Sequence, residues 1–320
     1  MLEAIPKTLL EATAYFAVPA HCNDFMREIK WPGGQIACPK CGNESCKEIA
    51  SRPGTIKCNR AACQKQFSFK VGTIFEDSPL GLDKWFVAVW AIANCRNGIS
   101  SHELGRAIGV TQKTAWFMLH RIRLAMESDN FMKLNGEVES DETYVGGKAK
   151  NMHTKRRAKA IEGRGAVGKE PVQAIVQRDG DVRTFVVKVT DGETIRGNVL
   201  RNVAKDSTLY TDDSTACTGL SWAYDHATVN HSAGEYVRGR ASTNCVENFF
   251  SLLKRALKGA YIAVKPWHLF RYCHEQGFRF NVRRLSDAAR FLNLLRGVVG
   301  KRITYKQLAA IGDAGFMGIQ

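Results

Sequence analysis

Residues 137–147, EVESDETYVGG, read as a short alternating strand closed by two glycines, and Asp141 ends it. The stretches after it repeat the strand signal. PVQAIVQRDGDVRTFVVKVT (171–190) reads as a hairpin across Asp179-Gly180, TIRGNVLRNVAK (194–205) as a helix, STLYTDD (207–213) and HATVNH (226–231) as strands. STNCVENFFSLLKRALKG (242–259) then reads as one helix, with Val246, Phe250, Leu253 and Leu257 forming a single apolar stripe. The order β-β-β-α-β-α-β-α implies an α/β fold, a mixed sheet flanked by helices. In such a sheet the first and fourth strands can lie side by side. That would bring Asp141 at the end of one strand close to Asp212, or Asp213, at the end of the other. Glu247, near the start of the last helix, would be lowered onto the pair.

Three clustered carboxylates repel one another unless cations hold them. Carboxylate oxygens suit Mg²⁺ or Mn²⁺, and two such ions can activate a nucleophile and stabilise a leaving oxygen. No Ser-His or Cys-His pair competes for the chemistry. Lys254 follows Glu247 by seven residues on the same side of the helix, and Lys258 follows Lys254 by four. An ordinary solvated helix face is the plain alternative.

Upstream, CPKCGNESCKEIASRPGTIKCNRAACQKQFSFKVGT (38–73) holds two cysteine pairs. Cys38 and Cys41 form a knuckle before a glycine, and sixteen residues separate Cys41 from Cys58. The second pair, Cys58 and Cys63, encloses four residues, which leaves Cys46 as a possible substitute ligand. The stretch reads as a zinc ribbon with one structural Zn²⁺, since four thiolates leave no open coordination position. Between ribbon and sheet, Ser100 with Glu103 makes a capping box, and Thr111 can cap a further helix after the Gly109 turn. Ala115, Leu119, Ile122 and Met126 line one face of that helix, leaving Gln112, Lys113 and Thr114 at its exposed start. This is a helix-turn-helix pattern, in which those first residues reach base edges.

Charge agrees with a polyanionic partner: 46 Lys+Arg against 31 Asp+Glu give +15 in 320 residues. Residues 148–169 hold eight Lys/Arg and one acid, Lys155, Arg156 and Arg157 among them, and read as a basic insertion able to follow a phosphate backbone. Phe278, Arg279, Asn281, Arg283 and Arg284 form a second basic cluster. No apolar run is long enough for a membrane span, and the N-terminus lacks the order of a secretory signal. Scattered cysteines beyond the two pairs do not make a disulfide framework. A cytoplasmic protein is expected, with no membrane partner.

VESDETYVGGK, YTDD, STNCVENFFSLLKRALKGAY and HLFRYCHEQGFRFNVR together resemble successive blocks of insertion-sequence transposases with a DDE core. The group is the IS1595 family, with an N-terminal zinc ribbon and an ISXO2-like catalytic domain. The resemblance implies an RNase H-like core with Asp141, Asp212 and Glu247 as a triad holding two Mg²⁺ ions, and Lys254 beside the transposon end. It places the second acid directly after Thr211, hence at Asp212. Asn244 is expected to cap the helix, and His231 falls on a family position. ENFF, where the family often has a Trp, departs from the pattern.

The domains expected are a helical lead-in (1–35), the ribbon (36–75), the helix-turn-helix region (80–130), the catalytic core (136–290) and a tail (291–320). The function implied is a DNA transposase that binds terminal inverted repeats of double-stranded DNA, then cuts and joins strands as a homodimer or higher assembly on the nucleoid of a bacterium. Two rivals stand beside it: an RNase H-like nuclease without strand transfer, and a non-catalytic DNA-binding regulator derived from a transposase.

Overall fold

The computed structural model describes residues 5–127, 132–147, 154, 168–229 and 237–310. The chain divides into two compact units: Met1–Glu127 with Arg284–Gln320, and Ser128–Arg283.

The first unit begins with helices α1 (Leu9–Phe16) and α2 (Pro19–Lys30), the lead-in. Three short antiparallel strands follow, β1 (Cys46–Glu48), β2 (Thr55–Cys58) and β3 (Gln66–Ser68). Helices α3 (Leu82–Asn94), α4 (Ser101–Ile108) and α5 (Gln112–Ala125) come next. Local sequence sets their ends. Ser100 and Glu103 form a reciprocal capping box, Thr111 accepts from the Thr114 amide, and Gly109 closes α4 at φ 64°, a left-handed conformation that favours glycine. Ala115, Leu119, Ile122 and Met126 are all buried. So are His120, Arg121 and Arg123 at the far end of α5, where Arg121 donates to the Glu76 carbonyl and lies over the Trp85 ring.

The C-terminal segment joins this unit through aromatic packing. Phe291, on the helix Asp287–Arg296, lies 5.1 Å from Trp90, 5.6 Å from Phe16 and 6.3 Å from Phe86, ring centre to ring centre. Such pairs contribute about 0.5–1.5 kcal/mol each beyond the area they bury. The segment from Arg284 therefore groups with the N-terminal helices, whereas the sequence reading sets a boundary at 290 and a separate tail after it.

The second unit is built on a five-stranded mixed sheet. Its strands are β4 (Glu137–Val145), β5 (Glu170–Gln177), β6 (Val182–Val186), β7 (Thr208–Asp212) and β8 (Asp225–Val229), in the order β6-β5-β4-β7-β8. β4 pairs antiparallel with β5 and parallel with β7, so the first and fourth strands of the unit are neighbours at its centre. Helix α6 (Gly192–Asn202) covers one face, where Ile195 and Val199 meet Ile175, Val138 and Leu209. Helices α7 (Asn244–Ala256) and α8 (Leu269–Asn281) cover the other, where Phe249, Leu253 and Phe280 meet Val172, Ala174 and Val176. Because both faces are covered, β5 is buried along its middle and shows no polar alternation.

Three features differ from the sequence reading. Only the 3₁₀ turns Thr215–Cys217 and Leu220–Trp222 connect β7 to β8, where the expected order has a helix. A short ladder of β9 (Val237–Arg238) and β10 (Ala241–Ser242) precedes α7, and α7 gives way at Leu257 to one wide π turn ending at Tyr261. The basic cluster at 278–284 is largely internal. Arg279 is buried against Glu275, Asn281 bonds both the amide and the carbonyl of Val182, and Arg283 donates to the Gly180 carbonyl. Among the described residues no helix is long and apolar enough to cross a membrane.

Candidate active site and metal centres

The ladder between β4 and β7 ends with Ser140 beside Thr211, and the next residues along are Asp141 and Asp212. Asp141 lies opposite Ala174, so its side chain is on the face covered by α7. Asp141, Glu142 and Asp212 each offer a carboxylate oxygen, all within 4.8 Å of one another. Asp213 is exposed and outside this group, which favours Asp212 between the two candidates.

Glu142 is the member that the sequence reading missed. It lies opposite Gln173, on the α6 face, so strict alternation turns it away from Asp141. The only available signal was the Asp-Glu doublet within the strand, which runs on past it to Val145. Its amide donates to Asp141 Oδ1 at 2.7 Å, while its buried Oε1 has no hydrogen-bond partner. Burial, then the Asp141 and Asp212 charges, push its carboxyl up to about 8. An all-oxygen donor set with an unsatisfied oxygen and mutual repulsion fits a hard divalent cation.

Glu247 is not part of that group. It is exposed on the first turn of α7 and accepts from the Thr243 hydroxyl at 3.1 Å. The expected cap by Asn244 is not formed: Thr243 occupies the cap position without a side-chain cap bond, and Asn244 lies one residue inside the helix, exposed. Lys254 is half-buried and Lys258 exposed, the first in the last turn of α7 and the second in the π turn. Glu247 and Lys254 stand about 10 Å apart along the helix axis.

The four cysteines converge in the first unit. Cys38 and Cys63 place their sulfurs 3.8 Å apart, Cys41 and Cys58 3.7 Å, and all four lie within 4.8 Å of one another. Zn–S bonds of about 2.3 Å in a tetrahedron put sulfurs about 3.8 Å apart, so the donor set fits one Zn²⁺. Gly42, at φ 69°, lets its amide turn back to the Cys38 carbonyl. The four-residue spacing of the second pair holds a turn in which the Cys63 and Gln64 amides both reach the Arg60 carbonyl. Burial opposes ionisation of Cys58, but bonds from the Arg60 amide, Asn43 and Cys41 bring its thiol down to about 6. Cys46 is outside the group and donates to the Asn43 carbonyl at 3.2 Å.

Of the expected DNA-reading residues, Gln112 and Lys113 are exposed at the start of α5 and Thr114 is half-buried. Each already has a neighbour: Gln112 donates to Ser101, Lys113 lies over the Tyr305 ring, and Thr114 shares a hydrogen bond with Thr111. Lys155, Arg156, Arg157 and His231 lie outside the described residues.

Residues 133–281 match the ISXO2-like transposase domain. The chain is also similar to an uncharacterised protein in the transposable element ISH50 of Halobacterium salinarum, 28% identical over 243 residues, spanning 73% of this chain and 81% of that protein. The domain match coincides closely with the second compact unit, Ser128–Arg283, and contains the carboxylate group. These two likenesses support the resemblance to the IS1595 family of insertion-sequence transposases, with the ISXO2-like match lying within that unit.

Proposed function

We propose that the protein is a DDE transposase that cleaves and joins DNA strands at the ends of its element, using an RNase H-like core. The observation that carries this is the side-by-side placement of Asp141 and Asp212 on neighbouring parallel strands, beneath the helix that carries Glu247. Asp141, Asp212 and Glu247 would hold two Mg²⁺ or Mn²⁺ ions, with Glu142 close enough to share one. Bound there, the ions supply Lewis acidity and a water of lowered pKa. The side chains fix where a phosphodiester sits. Lys254 and Lys258, further along the same helix, neutralise backbone phosphates and set the register of the strand. Water attack frees a 3′ hydroxyl, and that hydroxyl attacks target DNA by the same in-line displacement. The four thiols hold structural Zn²⁺, and the helix-turn-helix from α4 to α5 presents Gln112 and Lys113 to the terminal repeat. Two ends must be joined together, so a homodimer or larger assembly forms on DNA.

The test is cleavage and joining of DNA carrying the sequences that flank the coding region, with and without Mg²⁺, beside Glu247→Gln. Metal-dependent joined products that vanish in the variant support the reading. Cleavage without joining would make the protein a nuclease. Specific binding without cutting, equal in both proteins, would make it a regulator.

A further inference from the structure

We propose that Glu139 is a positioning residue that fixes helix α7, and with it Glu247, against Asp141 and Asp212. The inference rests on the reading of Glu247 as the third acid.

A helix start leaves backbone N–H groups without partners, and a local side chain normally takes one. In α7 the cap residue Thr243 does not; its hydroxyl donates to Glu247 instead. The orphan amides are taken from across the fold. Glu139 Oε2, on β4, accepts from the Cys245 amide at 2.8 Å and the Val246 amide at 3.0 Å. Glu139 is 0% exposed, and its charge faces the positive end of the helix.

The other oxygen is also occupied. Glu139 Oε1 accepts from Arg178 Nε at 2.7 Å. Arg178 sits in the turn between β5 and β6 and holds the chain that leads into α7, donating to the Arg240 carbonyl at 2.9 Å, the Ser242 carbonyl at 3.2 Å and the Ser242 hydroxyl at 2.9 Å. Its guanidinium lies 4.2 Å from the centre of the Tyr210 ring, and the Tyr210 hydroxyl donates to Glu137 at 2.8 Å.

The placement of these residues repeats. Glu139 precedes Asp141 by two residues on β4, and Tyr210 precedes Asp212 by two on β7; the two are ladder partners. By alternation each lies on the same face as the acid that follows it. One network therefore ties the strand of the first acid, the strand of the second and the helix of the third. A buried charge costs stability unless it is paired, and an apolar residue would pack here without that cost. The charge is accounted for by what it holds.

The experiment uses the full chain, first free of metal. Hydrogen exchange is followed by mass spectrometry over residues 243–250 in wild type, Glu139→Gln and Glu139→Ala, with circular dichroism as the check of folding. Mn²⁺ binding is then measured by electron paramagnetic resonance on the same proteins and on Glu247→Gln. The proposal expects faster exchange at the start of α7 in Glu139→Ala, together with Mn²⁺ binding weakened about 10-fold or more, the range typical when a residue that orients metal ligands is lost. Glu139→Gln keeps a carbonyl acceptor and should shift both less. It carries the test should the alanine variant not fold. Faster exchange with wild-type Mn²⁺ binding overturns the proposal, since the cap would then serve the fold alone, and unchanged exchange overturns it too. Unchanged Mn²⁺ binding in Glu247→Gln would overturn the triad reading, and the proposal with it, yet leave the exchange result intact.

Discussion

The four thiols and the three carboxylates are both tight clusters of acidic side chains, and they are assembled in opposite ways. The thiols come from two short turns, Cys38 to Cys41 and Cys58 to Cys63, each closed by its own backbone hydrogen bonds. The carboxylates come from strands about seventy residues apart and meet through the β4–β7 ladder. A spacing rule finds the first kind of site. Only knowledge of which strands pair, and in which register, finds the second. The first kind therefore breaks locally, and the second fails only where the sheet or its acids are disturbed.

The largest effect should come from the thiols. Structural zinc contributes on the order of 10 kcal/mol in small zinc-binding units. Cys41→Ser should reduce bound zinc from one equivalent to none by elemental analysis, and expose 36–75 to limited proteolysis. Cys46→Ser should leave both unchanged, because Cys46 lies outside the group. Zinc lost from the Cys46 variant and kept in the Cys41 variant would reverse the ligand assignment.

Next in size are the acids. Asp141→Asn and Asp212→Asn should each lower strand cleavage by about 10³-fold, equivalent to about 4 kcal/mol of barrier, with folding retained. Asp213→Asn should cleave as wild type. Full activity in the Asp212 variant with loss in the Asp213 variant would show that the ladder does not select the working residue.

A smaller effect lies in pH. Glu142 is held protonated in the folded, metal-free protein, at about 8 against an unfolded value of 4.5. The folded state binds more protons between those values, so stability is greatest at low pH and falls as pH rises toward 8. Discounted for partial exposure, the loss is roughly 2 kcal/mol. Denaturant titrations at pH 6 and 8.5 should show it, Glu142→Gln should flatten it, and saturating Mg²⁺ should reduce it. A flat profile in the metal-free wild type would mean that burial and the Asp141 and Asp212 charges do not hold Glu142 protonated.

The smallest effect returns to local structure. Ser100→Ala removes the capping box of α4 and should cost about 1 kcal/mol, measured as a shift in denaturation midpoint. A cost several times larger would mean that tertiary contacts, and not the cap alone, depend on Ser100.

The sequence by itself determined what is set within a few residues. The knuckle spacings, the Ser100–Glu103 box, the Gly109 stop, the hairpin at Asp179-Gly180 and the apolar stripe of α7 are written in side chains that interact with their own neighbourhood. Pairing of the first and fourth strands was also within reach, because element order restricts how a mixed sheet can be laid out. The tertiary structure alone decided the rest. Glu142 joins the carboxylates against alternation because the β4–β7 ladder stops at Ser140 and Thr211, just before Asp141 and Asp212. Arg279 leaves the surface because Glu275 and Tyr261 enclose it. Phe291 draws the last segment to the first unit because Phe16, Phe86 and Trp90 form its cavity. Helix α7 is capped not by Thr243 or Asn244 but by Glu139, more than a hundred residues away in sequence. Each of these depends on atoms brought together through space, and one sequence read along its length shows distance along the chain, not distance across the fold.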